Sequence, residues 1–263
     1  MLETRVEAGG VELEVLRRGP ESAPTLLFLH DLDYLNSVDL PFIEGLSQTR
    51  QVVAPSHPGF GHSSLPAAFD AIDDLAYTYL DLLRDTGPAH LLGAGFGGWI
   101  AAEIAIRCTR DIRSLVLIDA LGVKIGDRAT VDIADMFVVS PDELVELCWH
   151  DASLGKTRMP LPDARFDEDT LSLLLNNRRT AALVGWNPFM HSPKLLSRLA
   201  RIDCPTLVVW GASDRLVTPE YGRAYAAKIP DARFELIPEA GHYPYLEQPD
   251  RFLAVVESFL AGK

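Results

Sequence analysis

No apolar run in this chain of 263 residues approaches the roughly 20 consecutive positions that a bilayer-spanning helix needs. Cysteine is scarce. Cys108, Cys148 and Cys204 are an odd number, widely spaced, without a C-x-x-C pair and each in an apolar setting. That argues against structural zinc and a disulfide framework, and fits reduced, buried thiols. Basic residues are outnumbered, 24 Lys and Arg against 37 Asp and Glu, for a formal charge of −13. A field of that sign repels phosphate backbones and anionic headgroups, so neither nucleic acid nor membrane is an expected partner. The opening residues Met1 to Arg5 lack a basic stretch followed by an apolar one, so no signal peptide is expected and the expected compartment is the cytoplasm. Internal repeats and low-complexity tracts are also missing. With 48% hydrophobic and 23% charged residues, the composition is that of an ordinary globular chain.

What is present is an alternation of short apolar runs and helical patterns, which predicts parallel strands joined by crossover helices. The runs are Val11 to Leu16, Thr25 to Leu29, Gln51 to Ala54, His90 to Leu92, Ser114 to Ile118, Thr206 to Trp210 and Phe234 to Ile237. Between Ala71 and Thr86, the residues Ile72, Leu75, Ala76, Tyr79, Leu82 and Leu83 share one helical face, with Asp70 expected as the cap and Gly87-Pro88 as the stop. Pro249 opens a last helix whose stripe is Phe252, Leu253, Val256, Phe259 and Leu260. From about Leu121 to Leu199 no strand is predicted. Helical patterns recur there at Val131 to Val139, Pro141 to His150 and Asp167 to Trp186. The expected organisation is a core of residues 1–120 and 200–263, interrupted by a helical cap of residues 121–199.

Gly93-Ala-Gly95-Phe-Gly97-Gly98 follows one predicted strand and opens a helix expected over Trp99 to Cys108. A strand, a tight glycine turn and a helix form the context of a nucleophile elbow, G-x-S-x-G, whose central residue projects at a helix N-terminus. Here the central residue is Gly95. The same glycines also satisfy the dinucleotide-binding spacing G-x-G-x-x-G, with Asp119 at the end of the next strand. The rest of the chain decides between them. Asp214 and then His242 follow later predicted strands, giving the order nucleophile position, acid, histidine.

At these residues the chain resembles the α/β-hydrolase superfamily over nearly its whole length. Further matches are Leu29-His30, where the family carries His-Gly, and Pro58-Gly-Phe-Gly-His-Ser63, similar to its P-G-x-G-x-S loop; Gly211-x-x-Asp214 and Gly241-His242 also match. The resemblance implies the α/β-hydrolase fold, a mostly parallel sheet flanked by helices with a helical cap insertion. It also implies that Asp214 orients His242 and that the amides of Phe96 and Leu32 form an oxyanion hole. Two departures stand out. Gly95 has no side chain to make an acyl-enzyme, and Asp31 stands where the family has Gly, with Asp33 and Tyr34 close by in sequence.

The expected activity is therefore chemistry on a small, fairly apolar carbonyl compound, such as an ester, a lactone or a C–C bond. His242 acts as general base, and a water fits in the room above Gly95. No cofactor and no metal are expected, because Asp31, Asp33, His57, His62 and His242 lack a metal-ligand spacing such as H-E-x-x-H. Other accounts stay open: an inactive homologue, natural or engineered by Ser-to-Gly exchange, that binds a small ligand, or a lyase or cofactor-independent oxygenase. Ser63, Ser64 and Asp31 are the candidates for a substitute nucleophile, against loop capping for the serines and local hydrogen bonding or tuning of His242 for Asp31. His57 and His62 read as loop caps and His90 as structural. Trp186 and Tyr243 are the expected substrate-binding residues besides Asp31. Trp149, His150, Phe189, Met190, His191 and Tyr245 are further lining candidates, against plain packing of the cap on the core.

Overall fold

The computed structural model describes residues 3–32, 41–158 and 168–261. Eight strands form one sheet: β1 (Glu3–Ala8), β2 (Val11–Arg18), β3 (Thr25–Leu29), β4 (Gln51–Pro55), β5 (Ala89–Ala94), β6 (Ile112–Ile118), β7 (Thr206–Gly211) and β8 (Arg233–Ile237). Their order is β1-β2-β4-β3-β5-β6-β7-β8. The pairs β1–β2 and β2–β4 are antiparallel, and every other pair is parallel. Strands covered on both faces read as near-continuous apolar runs, and β5 is buried from end to end with His90 as its one polar residue. This is the α/β-hydrolase fold anticipated above.

The helices are α1 (Pro41–Leu46), α2 (Ile72–Thr86), α3 (Gly95–Ala105), α4 (Pro141–Cys148), α5 (Ala152–Arg158), α6 (Glu168–Gly185), α7 (Leu195–Arg198), α8 (Pro219–Ala226), α9 (Pro244–Glu247) and α10 (Pro249–Leu260). In α3 all eleven residues are buried, because it lies against the centre of the sheet. Four helices, α4 to α7, fall between β6 and β7 as cap-like additions. No helix of the described residues is long and apolar enough to cross a membrane.

Local details depart from expectation in four places. β1 carries no apolar run, and among its described side chains, residues 4–8, Ala8 alone is buried; its ladder to β2 holds it as an edge strand. Helix α2 starts at Ile72 rather than Ala71, and Asp70 does not cap it. Instead the Asp74 carboxylate reaches back to accept from the amides of Asp70 and Ala71 at 3.0 and 3.1 Å. Helix α3 begins at Gly95, four residues earlier than expected, since the turn itself is its first residue. Residues 131–139 form turns instead of a helix, tied by Lys124 and by backbone amides to the Asp132 carboxylate.

An aromatic cluster joins the sheet to the C-terminal helices. Phe42 of α1 contacts Phe28 and Tyr245 with ring centroids 5.1 Å apart and Phe252 of α10 at 5.6 Å. Phe42 is 1% exposed. Its replacement by alanine is expected to lower the unfolding free energy by about 3–5 kcal/mol, the usual cost of emptying a buried aromatic site. Urea denaturation followed by tryptophan fluorescence measures this directly.

Candidate active site

Loops at the C-terminal ends of five parallel strands converge, the usual place for a ligand in an open α/β sheet. They carry Asp31 after β3, Gly95 after β5, Asp119 after β6, Asp214 after β7 and His242 after β8. Gly95 has φ of 48°, the left-handed conformation that a side chain resists. A Cβ at Gly97 would overlap the carbonyl oxygens of Leu29 and His30, so the first turn of α3 and the end of β3 pack backbone against backbone. That close approach brings Asp31 over the turn.

Asp31 fills the space that a side chain at position 95 would use. A Cβ built on Gly95 falls onto the Asp31 carboxyl carbon and both of its oxygens. The expected room for water above Gly95 is thus taken by a carboxylate. The Phe96 amide, expected to be an open oxyanion donor, instead donates to Asp31 Oδ1 at 2.7 Å. The other oxygen, Oδ2, lies 3.2 Å from His242 Nε2. This contact is a charge pairing at the long end of hydrogen-bonding distance. On the far side of the ring, His242 Nδ1 donates to Asp214 Oδ2 at 2.7 Å. Asp214 is held by its own turn, its Oδ1 accepting from the amides of Leu216 and Val217 at 2.9 and 3.1 Å.

Electrostatics follow from this row. Burial opposes charge on His242, but the Asp214 and Asp31 carboxylates outweigh it and hold the imidazole well above its ordinary pKa. Burial likewise pushes Asp31 up, and His242 with the amides of Phe96 and Leu32 brings it below the usual carboxylate value. At neutral pH the two therefore form a carboxylate–imidazolium pair.

Asp119 lies beside Asp214, with φ of 43°. One of its oxygens accepts from the Gly211 amide at 2.8 Å, and the other is buried without a partner. Burial and the neighbouring Asp214 push its carboxyl well above the ordinary range, which avoids two adjacent buried anions. Donor atoms of Asp119, Asp214 and His242 lie within 4.8 Å of one another, the spacing of a possible metal site. The imidazole nitrogen that would hold an ion is engaged as a donor to Asp214. His242 and Asp214 are hydrogen-bonded to each other, and Asp119 is held by the Gly211 amide.

The layer beneath fixes the backbone of Asp31. The rings of His30 and His57 stack at 3.9 Å. His57 contacts the Tyr79 hydroxyl at 2.6 Å and the His30 carbonyl at 2.8 Å through its two nitrogens, and burial with the nearby His30 holds its pKa well below normal. His57 is thus part of the support. His62 is exposed. His90 pairs with Ser114 Oγ at 2.8 Å inside the sheet, its pKa pushed down to about 4 by burial and by Arg50 and Arg113. Ser63 and Ser64 accept from the amides of Glu14 and Glu12, both at 2.9 Å, which ties their loop to β2.

A cavity of about 50 Å³ opens beside Asp31. Leu32 and Tyr243 line it from the core, and Met136, Phe137, Leu144 and Ala181 give an apolar opposite wall. Asn177 and the exposed Arg178 of α6 add polarity. Trp186 does not join this lining. It follows the end of α6, is 49% exposed and packs on Phe137 and Phe189, each at 5.6 Å. Phe137 reaches the cavity in its place. Trp149 is packed against Tyr243 at 5.2 Å, His150 meets Ser213 at the surface, Met190 is buried, and Tyr245 belongs to the aromatic cluster. His191 is half-buried, its Nδ1 2.9 Å from the Phe189 carbonyl. Asp33 and Tyr34 lie outside the described residues.

Two polar residues emerge from the structure rather than from motifs. Asp119 entered the sequence reading only as a dinucleotide-binding acid; its position directly after β6, level with Asp214 after β7, is the signal of its place here. Asn177 is 2% exposed on α6. Its Oδ1 accepts from the Gly61 amide at 3.0 Å while Nδ2 is buried without a partner.

The sequence model of the alpha/beta hydrolase family matches residues 26–255. Among curated proteins, polyketide synthase ThaQ of Burkholderia thailandensis is 29% identical over 96% of this chain, and the chain spans 12% of that protein. A 2-hydroxymuconate semialdehyde hydrolase of Pseudomonas putida is 28% identical over 82% of this chain and 78% of its own length. Among solved structures, the 2-hydroxy-6-oxo-6-phenylhexa-2,4-dienoate hydrolase of a Rhodococcus species shares the fold with a TM-score of 0.79 at 19% identity, covering 99% of this chain and 98% of that one.

Replacing Asp31 by asparagine removes one of the two anions that hold the proton on His242. The His242 titration is expected to move to lower pH, as read by NMR of its ring protons. The stability difference between the two forms should depend on pH. The lowered Asp31 pKa contributes above the unfolded value near 3.9 and is lost as pH falls through the folded value. The raised His242 pKa contributes fully below about 6.5 and is lost as pH rises through its folded value. The gap should be widest between about pH 4 and 6.5, measured by denaturant unfolding across pH.

Proposed function

The chain belongs to the α/β-hydrolase family, and we propose that it is a hydrolytic enzyme for a small, mostly apolar molecule that works without a serine nucleophile. The observation that carries this reading is the His242–Asp214 hydrogen bond of 2.7 Å, with the opposite ring nitrogen facing the turn at Gly95. A histidine held in that way moves a proton to or from a reacting oxygen, while the acid fixes its tautomer. The relatives named as hydrolases support the reaction class. The apolar wall beside Asp31 supports the substrate's size and character, and residues 121–199 are read as the cap that supplies it.

Gly95 carries no hydroxyl, so a seryl ester cannot form there. Direct attack of water on an ester, a lactone or a diketone-like C–C bond needs Asp31 to leave the Phe96 amide, since one donor cannot serve two oxygens equally well. The same plugged hole favours the second reading, a ligand-binding relative with no turnover.

Replacing His242 by alanine separates the two readings. An enzyme should lose at least about a hundredfold in kcat, the low end of what a positioned acid or base contributes, whereas a pure binder keeps its ligand affinity. Steady-state assays on a panel of small esters, lactones, alkyl halides and epoxides, with calorimetry for binding, give both readouts. Gly95→Ser alone is expected to place its side chain against Asp31 and to acquire no esterase burst. The pair Gly95→Ser with Asp31→Gly clears the space, and acyl-enzyme formation from a nitrophenyl ester reports whether a serine then works there.

A further inference from the structure

We propose that Asp31 is the covalent nucleophile of this site, delivered from the loop after β3 into the place above Gly95, and that its substrate is a small molecule with a leaving group on a saturated carbon. This deepens the hydrolase reading and rests on it. Three geometric facts carry the inference. The carboxylate occupies the volume of the side chain that position 95 lacks. Its Oδ1 is bound by the Phe96 amide at 2.7 Å, while Oδ2 faces the histidine and the carboxylate borders the cavity. The Oδ2···Nε2 distance of 3.2 Å is longer than the 2.7 Å bond from Nδ1 to Asp214, so the histidine grips the attacking oxygen more loosely than its own acid.

The occupied hole selects the substrate class. Attack on an external carbonyl creates a substrate oxyanion that needs the Phe96 and Leu32 amides, and the enzyme's own oxygen already holds the first. Attack on a saturated carbon creates no such oxyanion. In the first step Oδ2 donates an electron pair to the carbon, an ester C–O bond forms, and the bond to the leaving group breaks with its electron pair going to that group. Asn177, in the cavity wall with Nδ2 buried and unpartnered, is the donor for the departing anion, and Arg178 adds positive charge at the rim.

In the second step water attacks the ester carbon of Asp31 and passes a proton to His242. The oxyanion now forms on Oδ1, where the Phe96 amide already points. Collapse breaks the bond between the Asp31 carbonyl carbon and the alkyl oxygen, and His242 returns the proton to the alcohol. Esterification also readies the base. It removes the Asp31 charge, one of two that keep the imidazole protonated, so the ring can release its proton to solvent and accept the next from water.

The probes are 1-bromobutane and 1,2-epoxybutane. With His242→Gln, the first step is kept and the second is blocked. Peptide mass spectrometry should find a butyl or hydroxybutyl ester on the peptide containing Asp31, and none at that position in Asp31→Asn/His242→Gln. A single turnover of wild type in ¹⁸O-water should put ¹⁸O into Asp31 and leave the product alcohol oxygen unlabelled, a readout that does not depend on any variant folding. Asp31→Asn should lose at least about a hundredfold in turnover while unfolding cooperatively. If neither probe esterifies Asp31 in either experiment, the proposal is overturned. Hydrolysis of any panel substrate with ¹⁸O in the product and none in Asp31 also overturns it, while leaving the broader hydrolase reading standing.

Discussion

One buried ion pair organises this site, the contact between Asp31 and His242 across the turn at Gly95. Either charge alone would be expensive in so dry a place, several kcal/mol after relaxation. Each is tolerable because its neighbours are of opposite sign or are amides: Asp31 lies between the Phe96 donor and the imidazolium, and His242 lies between two carboxylates. Asp119 shows the limit of the arrangement. A third anion beside Asp214 has no cation left to face, and burial with that neighbour pushes its carboxyl well above the ordinary range.

The scaffold exists to hold that row in register. Asp214 is set by the two amides of its own turn, and the His242 amide donates to the Cys148 carbonyl at 2.6 Å, so the histidine loop is anchored to the end of α4. Asp31 depends on two separate supports. The stacked His30 and His57 hold its backbone from below, and the tight approach of α3 to β3 at Gly97 sets its distance to the turn. Helix α4 thus touches both the histidine loop and the cavity, and links the cap-like helices to the loop that carries the imidazole.

The strands and the order Gly95, Asp214, His242 were legible in the sequence, because buried parallel strands read as apolar runs and each motif is contiguous. Four things were not. β1 is an edge strand whose Arg5 and Glu7 face solvent, so periodicity has little to detect. The turns of residues 131–139 hide behind apolar residues that serve the cavity and the core, as Met136 and Phe137 do, rather than a helix face. Asp31 was legible as a site residue, but its seat in the space above Gly95 was not. Its neighbours in the sequence identify it as a loop residue, but its relation to Gly95 is a contact across 64 positions that only backbone packing reveals. The same holds for Asn177, an ordinary helical asparagine until its unpaired nitrogen is placed in a wall.

Gly95 and Asp31 are best understood as one feature. A side chain at a φ of 48° costs about 1–3 kcal/mol of backbone strain, which an elbow with a serine must carry. With glycine the turn keeps its shape and still presents the Phe96 amide, but without that strain. The oxygen above the turn comes instead from Asp31, whose backbone carbonyl contacts the His30 ring. The consequence is a reciprocal constraint: any side chain added at 95 collides with the carboxylate, and removing the carboxylate leaves a charged imidazole short of one counterion and an amide without its acceptor. Neither position can change alone without disturbing the charge balance or the packing of the other, so the turn and the loop after β3 must be read together.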